Sequence, residues 1–229
     1  MHRRRLLAAM LTAAPLTATR VQAAAAPVVL ELFTSQGCSS CPPADALLGD
    51  LVRRPNVIGL AWHVDYWNSL GWHDPFARRE WTDRQRDYAR LLNGEVYTPA
   101  LVVNGAALMV GSDRAAVGHA IERAEPPAIA VTLRRAATGL EAEIGNAPPG
   151  VTALLAVYDP EHATAVGAGE NQGRRLVEYR VVRDAVRVDR LTPRLTLPPV
   201  PDNRGAVLLL QDATGRVVGA GEVPALRGT

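Results

Sequence analysis

The chain has 229 residues, of which 48% are hydrophobic and 21% are charged. This balance is typical of a soluble globular protein and excludes a disordered, collagen-like or coiled-coil chain. All 25 basic residues are arginine, so a Schiff-base lysine and a phosphate loop that depends on lysine are excluded as well.

The first 23 residues predict an export signal. Arg3, Arg4 and Arg5 precede a short apolar run, and Val21-Gln22-Ala23 ends in the small residues of a signal peptidase site. The apolar run is too short to cross a bilayer, although a retained N-terminal anchor is the alternative. We expect a periplasmic or secreted mature chain, whose formal charge is −2 instead of +2 because the signal holds four arginines and no acid. The mature chain keeps no basic arm, so we expect neither a nucleic-acid partner nor an integral membrane segment.

Residues 27–126 predict an α/β domain in which strands and helices alternate. Two hydrophobic strands are each followed by a helix with apolar residues at helical spacing, and a hairpin around Asn104-Gly105 leads to a last helix. Asp74 and Ser112 are the predicted N-caps of the second and third helices. The predicted elements are strand 28–33, helix 42–54, strand 57–64, helix 75–93, strands 100–103 and 107–110, and a helix from 113 to 124. This order predicts a mixed sheet flanked by helices.

Residues 128–226 have a different pattern. Short β-rich runs are separated by glycine, proline, asparagine and aspartate, and Pro126-Pro127 marks the boundary with the first segment. Several short strands at this spacing predict a second, all-β domain, an antiparallel sandwich.

The two cysteines of the chain, Cys38 and Cys41, fall between the first predicted strand and the first predicted helix. Unpaired N–H groups at a helix start favour negative charge, so Cys38 can become a thiolate near neutral pH. The thiolate is the attacking species in disulfide exchange. We therefore predict that Cys38 is the nucleophile and is reachable by a partner, and that Cys41, less exposed, resolves the mixed disulfide.

Residues 28–124 resemble the thioredoxin superfamily, and their local sequence motifs are most similar to those of the glutaredoxins. The resemblance is carried by Phe33-Thr34 ahead of the cysteine pair, by Thr98-Pro99, by the Asn104-Gly105 turn and by Gly111-Ser112-Asp113. It implies a cis-proline at Pro99 that lies against the cysteines. It also implies that backbone groups of Thr98 pair with an extended peptide or glutathione.

The resemblance also implies a buried carboxylate in the first strand that accepts the proton of the resolving cysteine. Glu31 is the candidate, although its spacing is one residue away from the pattern. A salt-bridged or solvated Glu31 is the alternative. If Glu31 is buried, desolvation should raise its pKa and suit it to proton exchange.

The whole mature chain is similar to a bacterial family of secreted thioredoxin-like proteins labelled only as a domain of unknown function. Three segments carry this similarity, namely 31–45, 62–67 and 169–174. The similarity implies a fold and supplies no substrate. The last segment, Gly169-Glu170-Asn171-Gln172-Gly173-Arg174, is interpreted as a plain turn in preference to a partner-binding loop.

All four tryptophans, Trp62, Trp67, Trp72 and Trp81, lie within twenty residues of one another. They form either an aromatic wall that docks a partner beside Cys38 or, as we favour for most of them, a packed cluster under a long loop. Together with Trp67, we take His63 and Asp65 as candidate substrate-binding residues. These two follow the second strand at its carboxyl end, where sites of α/β proteins lie.

The sequence favours an exported thiol–disulfide oxidoreductase that needs no cofactor or metal and acts on protein or low-molecular-weight thiols and disulfides. One alternative is a periplasmic Cu(I)-binding protein that uses Cys38, Cys41 and a histidine such as His63. The other is a non-catalytic binding module with an inert disulfide.

Overall fold

The structure is a computed structural model that describes residues 26–226, so the predicted signal, residues 1–23, lies outside the described residues. Three helices are found in this range: α1 (Pro42–Leu51), α2 (Arg79–Leu91) and α3 (Arg114–Arg123). The strands are β1 (Val28–Thr34), β2 (Val57–His63), β3 (Ala100–Val103), β4 (Ala107–Val110), β5 (Val131–Ala136), β6 (Gly139–Ile144), β7 (Thr152–Ala165), β8 (Arg175–Val188), β9 (Arg194–Leu197), β10 (Gly205–Gln211) and β11 (Val217–Val223). None of the helices between residues 26 and 226 has the length and apolar character that a membrane crossing requires.

Eight strands form one mixed sheet in the order β11-β10-β7-β8-β2-β1-β3-β4, and β5, β6 and β9 form a separate antiparallel sheet. Strand β1 pairs parallel with β2 and antiparallel with β3. Strand β8 joins β2 at Ala61 and Val181. The expected mixed sheet with helices is confirmed at this level. Four strands of the β-rich half extend it, so the hydrogen bonding continues across the boundary that the sequence indicates near residue 127.

The two faces of the large sheet pack against different helices because side chains alternate along a strand. Leu30 and Leu32 of β1 share a buried cluster with the leucines of α1. Val29 and Phe33 face the other way, into a cluster that contains Trp81 of α2. A third cluster lies between the small sheet and the β7–β10–β11 end of the large one. The separate antiparallel sheet therefore packs against that end of the large mixed sheet, to which the second half of the chain contributes four strands.

Two predicted helix starts are wrong. Helix α2 begins at Arg79 and not near residue 75, because Asp74 turns inward and its carboxylate accepts the N–H of Phe76 and that of Gln36. Helix α3 is capped by Asp113 and not by Ser112, since the Asp113 carboxylate accepts the N–H groups of residues 115 and 116. The predicted prolines at the first turn of α1 are confirmed.

Strand register gathers the functional candidates at one edge of the sheet. Thr34, the last residue of β1, is opposite His63, the last residue of β2. Phe33 is opposite Ala100, the first residue of β3. The cysteine loop that follows β1, His63 and the Thr98-Pro99 dipeptide that precedes β3 therefore meet at this edge.

Candidate functional site

Cys38 and Cys41 form a disulfide with a Cα–Cα distance of 5.4 Å. Cys41 is the N-cap of α1, and Pro42 and Pro43 occupy the first two helical positions. These prolines have no N–H, so the helix tip offers fewer backbone donors to a Cys38 thiolate than a usual helix start. The hydroxyl of Ser40 lies 3.3 Å from the sulfur of Cys38 and supplies a further donor.

Both cysteines are 0% exposed, so the predictions that Cys38 is reachable by a partner and that it is the more exposed of the two are wrong. The physical reason lies in the second half of the chain. Residues 166–174, which connect β7 and β8 and which we call the cover loop, pack onto the cysteine loop. Trp67 packs there as well, with its Cβ 3.0 Å from the place where a Cβ on Gly37 would be.

The cover loop holds the cysteine loop through two side chains. Asn171 is fully buried, and its Nδ2 donates to the carbonyl oxygens of Gln36 and Cys38, both at 2.9 Å. The carboxylate of Glu170, on the surface, accepts the N–H of Ser39 at 3.0 Å. The plain-turn interpretation of this segment is therefore incomplete, because it touches the cysteine motif directly.

The peptide bond between Thr98 and Pro99 is cis, as the resemblance implied. Pro99 is buried and Thr98 is half-buried. The indole Nε1 of Trp67 donates to the Thr98 hydroxyl at 2.8 Å. Two of the predicted substrate-binding residues, Trp67 and Thr98, are thus joined to each other at the edge of the sheet beside the cysteines.

A buried cluster of ionisable groups lies behind the disulfide. His63 is 0% exposed, and its Nδ1 is 2.7 Å from a carboxylate oxygen of Asp74. Its Nε2 faces Glu178 of β8 at 3.9 Å. Asp45, one turn after Cys41 in α1, is also buried. Gln36 links the groups, since its side-chain amide donates to Glu178 at 2.7 Å and its backbone N–H donates to Asp74 at 2.9 Å.

Charge pairing and burial set the protonation of this cluster. Burial by itself would lower the pKa of His63, but the carboxylates of Asp74 and Glu178 outweigh it and raise that pKa to about 9. Burial raises the pKa of Asp45 to about 7, helped by the nearby charge of Glu178. Burial also raises the pKa of Glu178. His63 is therefore a cation paired with Asp74 at neutral pH, and Asp45 is a carboxyl that can gain or lose a proton there.

Glu31 has a different position from the one that a proton acceptor for Cys41 requires. It is buried on the face of β1 opposite α1, where Arg84 donates to its carboxylate at 2.6 and 2.9 Å. Tyr88 donates to the same group. Of the two alternatives for Glu31, the structure has the salt-bridged one.

The other candidates divide between core and site. The carboxylate of Asp65 accepts the hydroxyl of Thr82 in α2 at 2.6 Å, which anchors the loop that follows β2. Trp62 and Trp81 pack edge to face in the core, with ring centroids 4.9 Å apart. Trp72 lies at the site and donates to the side chain of Gln36 at 3.1 Å. The packed-cluster interpretation thus holds for Trp62 and Trp81, whereas Trp67 and Trp72 are half-buried near the cysteine motif.

Sequence reasoning missed Asp45, Asp74, Glu178, Gln36 and Asn171. One of them carried a usable signal, because Asp45 follows Cys41 by four residues and so lies on the same side of a helix. Glu178 and Asn171 are more than 130 residues from Cys38, and only folding brings them there.

Within residues 26–226, no group of three or more His, Cys, Asp or Glu side chains is arranged to hold a metal ion. Both ring nitrogens of His63 face carboxylates.

Comparisons with known proteins place the chain in context. A family model described as a protein of unknown function (DUF1223) matches residues 29–211. A crystal structure of a protein from Agrobacterium tumefaciens, a structural genomics target, is similar at a TM-score of 0.77 and 31% identity, over 91% of this chain and 98% of that one. HBP35 of Porphyromonas gingivalis is similar in fold, with a TM-score of 0.55 and 12% identity over 89% of this chain and 76% of that one. No curated protein matches.

Proposed function

The chain belongs to the DUF1223 family, whose function is unknown, and we propose from its own residues that it is an exported thiol–disulfide oxidoreductase. The observation that carries the proposal is the Cys38–Cys41 disulfide at the start of α1, with a buried, protonatable carboxyl one helical turn behind it. The first half is proposed to be thioredoxin-like, since its strand order, its cysteine position and its cis Thr98–Pro99 bond match that resemblance.

Thiol–disulfide exchange can start from the oxidised or from the reduced form of Cys38 and Cys41. With the oxidised pair, a partner thiolate attacks the sulfur of Cys38, the S–S bond breaks, and Cys41 leaves as a thiolate that takes a proton. A second partner thiol then loses its proton and attacks the mixed disulfide. This releases Cys38 as a thiolate and leaves the partner with a disulfide, so the partner loses two electrons and the cysteine pair gains them. The reverse sequence reduces a partner disulfide.

Asp45 supplies or accepts the Cys41 proton. Side chains of a helix lean toward its N-terminus, so the Asp45 carboxyl leans back over the first turn of α1, where Cys41 is the N-cap. Its Oδ1 has no hydrogen-bond partner among the described residues. A carboxyl with a pKa of about 7 exchanges protons efficiently at neutral pH. This gives Asp45 the role for which Glu31 was the candidate.

Replacing Asp45 with Asn should slow turnover at pH 7 by roughly a hundredfold, because the Cys41 proton loses its nearby acceptor. The pH profile of kcat should also lose its inflection near 7. Rates of insulin-disulfide reduction with dithiothreitol, followed from pH 5 to 9, measure both effects. Asp50→Asn is the matched control, since Asp50 lies on the exposed side of the same helix. An Asp45→Asn protein with an unchanged pH profile would remove Asp45 from the mechanism.

The proposed function is tested by measuring whether the cysteine pair can be reduced to thiols and reoxidised to the disulfide in the folded protein. Under mild dithiothreitol the wild-type protein should take up two alkyl groups from iodoacetamide, and after reoxidation it should take up none, as mass spectrometry can show. A pair that stays oxidised in the folded protein at every thiol potential would favour the inert-disulfide alternative. Stoichiometric Cu(I) binding that depends on both cysteines, without turnover of insulin, would favour the copper alternative.

Export remains part of the proposal and is supported by residues 1–23 of the sequence. An oxidising compartment suits a cysteine pair whose partners are thiols and disulfides of proteins or small molecules. The exposed Ser40 hydroxyl and the half-buried Thr98 are the groups near the cysteine pair that such a partner would contact.

A further inference from the structure

The cover loop, residues 166–174, lies over the cysteine motif without belonging to it in sequence. Its ends are fastened to each other, since the N–H of Val166 donates to Arg174 and the N–H of Gly173 donates to Val166, both at 2.9 Å. Gly169 has a φ of +73°, which favours glycine, and a Cβ added to it would lie 3.1 Å from the Cβ of Trp72. The loop is therefore a closed turn at the end of the β7–β8 hairpin.

Three hydrogen bonds join the loop to the cysteine motif. Asn171 contributes two hydrogen bonds to backbone carbonyls, and Glu170 contributes one to a backbone N–H on the protein surface. Arg174 holds the Asn171 side chain in place by donating to its Oδ1 at 2.7 Å. Water replaces each of these partners when the bond breaks, so the three bonds define a closed state that can open.

The main-chain groups that hydrogen-bond to the loop are those to which an extended partner would hydrogen-bond. The carbonyls of Gln36 and Cys38 and the N–H of Ser39 are main-chain groups beside the reactive sulfur. An extended peptide pairs with main-chain groups of this kind. Asn171 mimics two peptide N–H donors with its amide, and Glu170 mimics a carbonyl acceptor with its carboxylate.

We propose that the cover loop is a displaceable mimic of the partner, that Glu170 and Asn171 determine access to Cys38, and that the partner is an extended polypeptide segment that replaces them. This inference rests on the proposed function, because it identifies the class of partner for the same cysteine pair. It also accounts for the complete burial of both cysteines in the resting state.

Closing the loop also acts on the reactivity of Cys38. Hydrogen bonding to Ser39 lowers the pKa of Glu170, so this carboxylate is an anion at the helix tip at neutral pH. An anion there disfavours a second negative charge on the sulfur of Cys38. Opening removes that charge and frees the N–H of Ser39. The reduced protein is therefore less reactive when closed for an electrostatic reason as well as a steric one.

The test measures the rate at which dithiothreitol reduces the disulfide in the full chain, with alkylation quenching at timed intervals. Asn171→Ala should react roughly tenfold to a hundredfold faster than wild type, since two hydrogen bonds of the closed state are lost. Asn203→Ala is the matched control in an exposed turn and should react like wild type. Equal rates for Asn171→Ala and wild type would overturn the proposal.

A second variant keeps the test decisive if Asn171→Ala does not fold. Glu170→Gln changes one exposed side chain, and it should lower the pKa of the Cys38 thiol in the reduced protein, measured by the pH dependence of iodoacetamide alkylation. Glu122→Gln, an equal charge change on an exposed face of α3, should leave that pKa unchanged. Identical Cys38 titrations in wild type, Glu170→Gln and Glu122→Gln would also overturn the proposal.

These experiments give different results according to which of the two proposals is wrong, the cover loop or the oxidoreductase function. Cys38-dependent insulin reduction with equal dithiothreitol rates in all variants refutes the cover loop and leaves the oxidoreductase. Faster reduction in Asn171→Ala without any insulin turnover supports the cover loop and refutes the oxidoreductase. A synthetic extended peptide that holds one cysteine should be oxidised faster by Asn171→Ala than by wild type, and a peptide rate that does not change would refute the mimicry.

Discussion

Replacing Cys38 with Ser is expected to reduce insulin-disulfide reduction to the rate observed without the protein. Cys38 lies outside helix α1, ahead of the N-cap residue Cys41, and next to the Ser40 hydroxyl that can stabilise its thiolate. A serine hydroxyl is far less acidic than a thiol and cannot form a mixed disulfide. The measurement is insulin turbidity with dithiothreitol at pH 7, together with a thermal melt of the variant.

Cys41→Ser is the matched variant, because it removes the other sulfur of the same disulfide. It should retain attack by Cys38 and lack resolution, so a mixed disulfide with the partner should accumulate and be visible on a non-reducing gel. The same variant therefore traps the physiological partner. Full reductase activity in Cys38→Ser, or mixed disulfides that form through Cys41 instead, would reverse the assignment of the nucleophile.

Replacing Asp74 with Ala should destabilise the folded protein by about 3–5 kcal/mol, since one partner of a buried charge pair is removed. The His63 imidazolium would lose the carboxylate 2.7 Å away. The backbone N–H groups of Gln36 and Phe76 would lose their acceptor too. Urea unfolding at pH 7 measures the loss. Asp83→Ala, which breaks exposed ion pairs on α2, is the control and should cost less than about 1 kcal/mol.

The same pair predicts how stability depends on pH. The pKa of His63 is about 9 in the folded protein and 6.5 ordinarily, so the folded state holds a proton that the unfolded state has lost between these values. Stability from the pair is fully present below pH 6.5 and falls as the pH rises through 9. Asp45 acts in the same direction between about pH 4 and 7, because its pKa is raised from 3.8 to about 7. Wild type should therefore be less resistant to urea at pH 9 than at pH 6.5, and Asp74→Ala should show a smaller decrease. A wild-type stability that rises over this interval would contradict the pairing.

Several features of the fold could be predicted from local sequence because local physics determines them. Pro42 and Pro43 lie in the first turn of α1, since proline suits that position. Asn104 and Gly105 both have positive φ in the turn between β3 and β4, which these residues adopt easily. The start of α2 could not be predicted in this way. Asp74 is of a residue type that often caps helices, but its buried carboxylate pairs with His63 instead.

The sequence by itself determined the alternation of strands and helices in the first half and the strand-to-helix position of the cysteine pair, because each depends on residues close together in the chain. The cis Thr98–Pro99 bond was implied by the resemblance to the thioredoxin superfamily. Only the tertiary structure decided that Glu31 pairs with Arg84, since strand alternation turns its side chain away from α1, and that Glu178 of β8 lies near Asp45 of α1. It also decided which residues hydrogen-bond to the main chain of the cysteine motif. These residues, Glu170 and Asn171, come from a hairpin more than 130 residues from Cys38, and no local pattern encodes that contact.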